Sequence, residues 1–86
     1  MPEPYQIRFT REAVRDVRKL LQKLKAKLKV VLEMALAANP SAGRALVGDL
    51  KGFFSYRLTL RDRIVYTVSE SDRTIYIHRA RTRYGE

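Results

Sequence analysis

Hydrophobic and polar positions alternate at the start of the chain. Tyr5, Ile7 and Phe9 are separated by Gln6 and Arg8, a period of two that predicts a half-buried strand. Thr10 then offers a hydroxyl suited to an N-cap, and Glu12 falls in the first helical turn, where the helix dipole favours negative charge. From Val14 the period changes: Val14, Val17, Leu20, Leu21, Leu24, Leu28, Val31, Leu32 and Ala35 recur at spacings of three and four, as on one face of a helix. The run KLKAKLKV from Lys23 to Val30 alternates at period two, but Leu, Lys and Ala are helix formers and its flanks are helical, so it too is predicted as helix. One unbroken helix from Arg11 to Ala38 would be about 42 Å long at ~1.5 Å per residue, against a radius of gyration of about 12 Å for a domain of this length. A helical hairpin is therefore predicted, with its break near Gln22 to Lys25 and its end at Asn39 and Pro40.

Ser41 to Gly52 contains Gly43, Gly48 and Gly52 and reads as an irregular connection. Beyond it, Phe54, Tyr56, Leu58 and Leu60 share even parity, as do Ile64, Tyr66 and Val68. Both sets reach one core only if paired positions sum to an even number. Leu60 opposite Ile64, with a three-residue connection from Arg61 to Arg63, satisfies this. Ser55, Arg57, Thr59, Val65 and Thr67 then share the opposite face, with Arg61 and Arg63 at its rim, while Tyr56 and Tyr66 belong to the core. A turn at Glu70 to Arg73 leads to a last strand from Thr74 to Ala80. The predicted class is α+β: an N-terminal strand, a helical hairpin, then a three-stranded antiparallel meander, forming one sheet packed on the helices. At 86 residues the chain is expected to be a single domain, 1–86.

Charge sharpens this picture. Lys and Arg number 18 against 9 Asp and Glu, a formal net charge of +9 that attracts polyanions or an acidic protein partner. The arginines fall largely opposite the apolar positions, so one sheet face can pack while the other meets phosphate. With no cysteine and one histidine, His78, disulfides, thiolate metal sites and zinc sites built on several imidazoles are excluded; no metal or other cofactor is expected. His78 lies mid-strand and is expected to be structural or merely exposed, though its ordinary pKa would suit acid–base work. The first nine residues lack the apolar core of a signal peptide, and no run approaches the roughly 20 apolar residues of a membrane span. A soluble, cytoplasmic protein with no membrane partner is the expectation.

Four segments carry a family resemblance: the helix entry FTREAVRDVRKL, the connection LVGDLKGFFSYRL, the hairpin strand RIVYTV and the ending IHRARTRY. Their order and spacing resemble the RelE/ParE superfamily of bacterial toxins over about Tyr5 to Tyr84. The resemblance implies a compact toxin of a type II toxin–antitoxin system, neutralised by a cognate acidic antitoxin and reaching operator DNA only through the antitoxin complex. RelE-like members cut mRNA on the ribosome; they activate a ribose 2′-hydroxyl to attack the adjacent phosphodiester, without a metal. ParE-like members poison DNA gyrase and catalyse nothing. The RelE-like branch is favoured; the alternatives are a ParE-like inhibitor or a degenerate toxin that only binds its antitoxin.

The resemblance also implies roles. Arg57, Arg63 and Arg83 match basic positions that hold and stabilise the scissile phosphate, a task suited to arginine because its planar fork donates to two phosphate oxygens. Tyr84 stands near the position of a distal catalytic tyrosine. Arg61, Arg79 and Arg81 are expected to bind RNA, and Lys25 and Lys29 to anchor the protein on ribosomal RNA. Thr59 replaces a second lysine of the RelE pattern, and no general base is evident among the matched positions.

Overall fold

The protein is described by a computed structural model over residues 4–82, the last two as backbone only. The first strand, β1 (Gln6–Phe9), leads into α1 (Arg11–Arg18), α2 (Gln22–Val30) and one wide π-type turn over Val31–Leu36. Strands β2 (Arg44–Ala45), β3 (Phe54–Arg57), β4 (Asp62–Ser69) and β5 (Thr74–Thr82) follow, and the five form one sheet in the order β1-β5-β4-β3-β2. β1 runs parallel to β5, with Ile7 beside Ile75 and Phe9 beside Ile77; every other pair is antiparallel. The α+β class holds, with one strand more than expected. Inside the glycine-rich connection, Arg44 and Ala45 pair with Ser55 and Phe54. No helix among the described residues is long and apolar enough to cross a membrane.

Thr10 caps α1 as its chemistry suggests, its hydroxyl accepting from the Ala13 N–H at 3.1 Å. The hairpin break, however, lies at Lys19 to Leu21, before the expected Gln22 to Lys25. The N–H groups of Lys19 and Leu20 turn back to the Asp16 and Val17 carbonyls, tightening the last turn. Leu20 packs against the core whereas Leu21 adopts extended backbone and is 68% exposed. Which of two adjacent leucines the core accepts sets the vertex, and neither Gly nor Pro is needed.

Ala13, Leu28, Leu32 and Leu36 from the helical layer meet Ile64, Tyr66, Ile75, Ile77 and Ala80 from the sheet and Leu58 from the β3–β4 turn. The even-sum rule for the hairpin is obeyed, but Ile64 pairs with Tyr56, four residues earlier along the chain than the expected Leu60, and Arg57 pairs with Arg63, so Arg63 belongs to β4 and not to a three-residue connection from Arg61 to Arg63. Leu58 is therefore buried and Leu60 is 83% exposed at the tip. Thr59 explains the early closure. Its hydroxyl accepts from the Arg61 and Asp62 N–H groups and donates to the Asp62 carboxylate, while the Asp62 carbonyl accepts from the N–H groups of Leu58 and Thr59.

In β5 the alternation is interrupted. Val65 pairs with Arg79 but Tyr66 pairs with Ile77, leaving His78 as the extra residue of a bulge. Across that bulge Ile75 and Ile77 are buried at odd positions and Ala80 at an even one.

Tyr66 is fully buried and its hydroxyl is satisfied twice, donating to the Pro40 carbonyl at 2.7 Å and accepting from the Gly43 N–H at 3.0 Å. Burial raises its pKa, partly offset by the Gly43 N–H, and the neighbouring Tyr56 raises it further. This contact ties the segment before β2 to the centre of the sheet, and a Cβ on Gly43 would collide with the Tyr66 hydroxyl. Tyr66→Phe keeps the ring but removes the hydrogen-bond partner of two part-buried backbone groups. It is expected to cost about 1–3 kcal/mol in urea unfolding, and Gly43→Ala is expected to be destabilising as well.

Candidate functional site

On the sheet face opposite the helices, β3 presents Ser55 and Arg57 and β4 presents Arg63, Val65 and Thr67, while Arg44 of β2 lies opposite Ser55. Arg57 and Arg63 are direct cross-strand partners. The same row continues into β5, where the backbone register sets Arg81 opposite Arg63. Like charges directly opposite one another destabilise a sheet. An anion between Arg57 and Arg63 would relieve that repulsion.

Next to this pair, where β2 ends and the edge of β3 runs on, a cavity of about 330 Å³ is lined by Ala42, Gly43, Arg44, Ser55, Tyr56, Arg57 and Arg63. Arg57 is exposed, whereas the Nε of Arg63 is shut off from solvent and meets no acceptor among the described residues. Buried polar groups are ordinarily paired, so the unpaired Nε sets Arg63 apart, while the residue itself lines the cavity, where a guanidinium suits an oxyanion. Arg44 was not anticipated from the sequence. A two-residue strand is too short for alternation to register, and only the pairing with β3 brings Arg44 to the cavity.

The remaining predicted residues are dispersed. Arg79 donates from Nε and Nη2 to both carboxylate oxygens of Asp16, at 2.8 and 3.3 Å, and the same carboxylate accepts from the Ala80 N–H at 3.0 Å. This contact reinforces Arg79's positive charge by raising its pKa and fastens α1 to β5 just beyond the end of β1. Arg61 is exposed in the β3–β4 turn. Lys25 and Lys29 lie on α2, beside an apolar groove of about 290 Å³ formed with Ile7, Phe9, Val17, Leu28, Leu32 and Glu33, and apart from the arginine pair. Arg83 and Tyr84 fall outside the described residues.

His78, next to the core-facing Ile77, lies on the face that carries Thr67 and Phe53. Its Nε2 lies 2.9 Å from the Thr67 hydroxyl, and its ring meets Phe53 edge to face with centroids 5.0 Å apart. Burial lowers the imidazole pKa below its ordinary value, and the Glu12 carboxylate opposes this only in part. Thr67 is four residues from Arg63 along β4, roughly 13 Å between backbones at about 3.3 Å per residue.

The sequence profile of a family described as the ParE-like toxin of type II bacterial toxin–antitoxin systems matches residues 7–84. The chain is similar to one in the RelBE2 toxin–antitoxin complex from Mycobacterium tuberculosis, with 32% identity and a TM-score of 0.85 over 93% of this chain and 99% of that one. It is also similar to a YoeB dimer structure from Staphylococcus aureus, with 26% identity and a TM-score of 0.77 over 94% and 99% of the two chains. The fold alone is shared with the Escherichia coli RelBE complex, at 19% identity and a TM-score of 0.79 over 95% and 99%. No curated protein matches the chain significantly.

A histidine whose folded pKa is depressed adds stability that is complete above the unfolded value of about 6.5 and is lost as pH falls through the lower folded value. The midpoint of thermal unfolding is therefore expected to fall more steeply between about pH 7.5 and pH 5 in the wild type than in His78→Asn. Equal slopes would remove His78 as the titrating group.

Proposed function

Because the chain belongs to the ParE-like toxin family of type II bacterial toxin–antitoxin systems, we propose that it is a RelE-type toxin that cuts mRNA on the ribosome. The observation that carries this reading is the Arg57–Arg63 pair beside a cavity also lined by Arg44, with the Arg63 Nε buried and unpaired among the described residues. In the proposed reaction a ribose 2′-oxygen attacks the adjacent phosphorus and yields its proton to a base. The P–O5′ bond breaks, leaving a 2′,3′-cyclic phosphate, and the departing 5′-oxygen takes up a proton. Arg57, Arg63 and Arg44 hold the phosphate and stabilise the charge that builds on its oxygens in the transition state. Arg83 adds a further phosphate contact and Tyr84 assists proton transfer. Arg61 and Arg81 extend the cationic surface along the RNA. Arg79, engaged with Asp16, positions β5.

A second reading is favoured by the ParE-like description of the family itself: a non-enzymatic inhibitor of DNA gyrase. No described residue that lines the arginine cavity is a carboxylate or an imidazole, which supports a binding site over a complete acid–base site. Expression in cells separates the two readings. Discrete cuts within translated codons, mapped by primer extension, are expected for the first; intact messages with DNA damage would establish the second. Arg57→Ala with Arg63→Ala is expected to abolish growth arrest with an unchanged circular-dichroism spectrum. Full arrest by this double variant would overturn the assigned site under either reading.

The neutralising partner is an acidic antitoxin, as the toxin–antitoxin complexes among the similar structures suggest. The groove between β1, α1 and α2 suits an amphipathic acidic helix, with Ile7, Phe9, Val17, Leu28 and Leu32 for its apolar side and Lys25 and Lys29 for its carboxylates. Phe9, 41% exposed, is the accessible anchor. Phe9→Ser is expected to weaken binding of the product of the adjacent reading frame at least about tenfold in calorimetric titration. Unchanged affinity would assign the antitoxin to another surface.

A further inference from the structure

The aromatic pair on the open sheet face has no task in the core. The buried cluster lies on the opposite face, and neither Phe53 nor His78 belongs to it. Both rings are nevertheless held in place. His78 sits on a bulge whose carbonyl accepts from the Thr10 hydroxyl, its ring is fixed by Thr67, and Phe53 meets it at an interplanar angle of 61°. An edge-to-face pair leaves at least one ring with faces its partner does not cover. Both residues are half-exposed, so a planar ligand can reach them. Fixing the rings beforehand spares the ordering cost that a mobile side chain would incur on binding.

We infer that Phe53 and His78 form a stacking platform for one nucleobase of a single-stranded RNA whose phosphate is held by Arg57 and Arg63. Every base has a π-face, so the combination of a cationic track and an aromatic platform is the general solution for single-stranded nucleic acid. Thr67, which meets the imidazole, and Arg63 are four residues apart on β4, roughly 13 Å between backbones, so a single strand of a few nucleotides can reach both. Burial lowers the imidazole pKa, which favours the uncharged ring and hence stacking over a further cation. The inference rests on the RNA-binding part of the proposed function and not on cleavage.

The test uses the purified toxin and a short 2′-O-methyl RNA, which cannot undergo 2′-hydroxyl attack, with a single 2-aminopurine moved along it position by position. Quenching is expected at one favoured position. Phe53→Ala should weaken binding about tenfold and remove the positional quenching. Phe53→Tyr and His78→Phe, which keep an aromatic ring, should retain both. Arg63→Ala should weaken binding and reduce its salt dependence without moving the quenched position. Wild-type affinity and quenching in Phe53→Ala would overturn the platform, as would the absence of saturable binding by the wild type. Loss of antitoxin affinity in Phe53→Ala with RNA binding unchanged would assign the rings to a protein partner instead. Binding and quenching without mRNA cuts in cells would leave the platform standing and defeat the cleavage reading alone.

Discussion

A β-strand sends alternate side chains to opposite faces, so a strand that buries residues 75 and 77 should bury 79 and 81 as well. β5 has isoleucines at the first two positions and arginines at the last two. The bulge at His78 resolves the conflict by inserting one residue, after which Ala80 takes the core position opposite Ile64 and Arg79 lies opposite Val65. Without that insertion, either two arginines would enter an apolar core or two isoleucines would leave it. The two-faced character of the sheet, apolar toward the helices and cationic on the other side, depends on this single irregularity.

Polar contacts hold the irregularity in place. The Thr10 hydroxyl caps α1 and bonds the His78 carbonyl, the Thr10 N–H bonds the Ile77 carbonyl, and Asp16 takes the Ala80 N–H together with Arg79. β1 pairs with β5 only as far as Ile77. Beyond that point the exposed edge of β5 is covered by a carboxylate from α1 in place of a strand, which satisfies a backbone donor that would otherwise template unwanted pairing. On the other flank Tyr66 performs a comparable task, joining Pro40 and Gly43 to the sheet and thereby setting the walls of the arginine cavity. One helix and one buried hydroxyl thus define the geometry of the open face from both sides.

That face is arranged against the preferences of an unliganded sheet. Arg57 and Arg63 are directly opposite, and one of their N–H groups is buried without a partner among the described residues. In a domain of this size, where net stability is a small difference between large terms, such an arrangement is tolerable because the apolar face compensates. Departures from local rules of this kind mark binding surfaces, and here they coincide with the half-exposed aromatic pair on the same face.

Much of the architecture was legible in the chain itself. The period-two and period-four patterns identified the first strand, the helical layer and the hairpin, Thr10 announced the start of α1, and parity arithmetic put Arg57 and Arg63 on one face. These features follow from local propensity and side-chain direction, which depend on neighbouring residues alone. The early closure around Thr59, the exposed Leu60, the hairpin vertex at Leu20, the short β2 with Arg44 and the pairing of Arg79 with Asp16 were not legible. Each was decided by contacts between residues far apart in the chain or by one side chain bonding a turn. The bulge is the clearest case: isoleucines at 75 and 77 and arginines at 79 and 81 pose the conflict in sequence, but only the register against β4 and the anchor from α1 determine where the extra residue goes. Hydrophobic pattern specifies which faces must exist, whereas hydrogen-bond pairing across the sheet determines which residue yields so that they can.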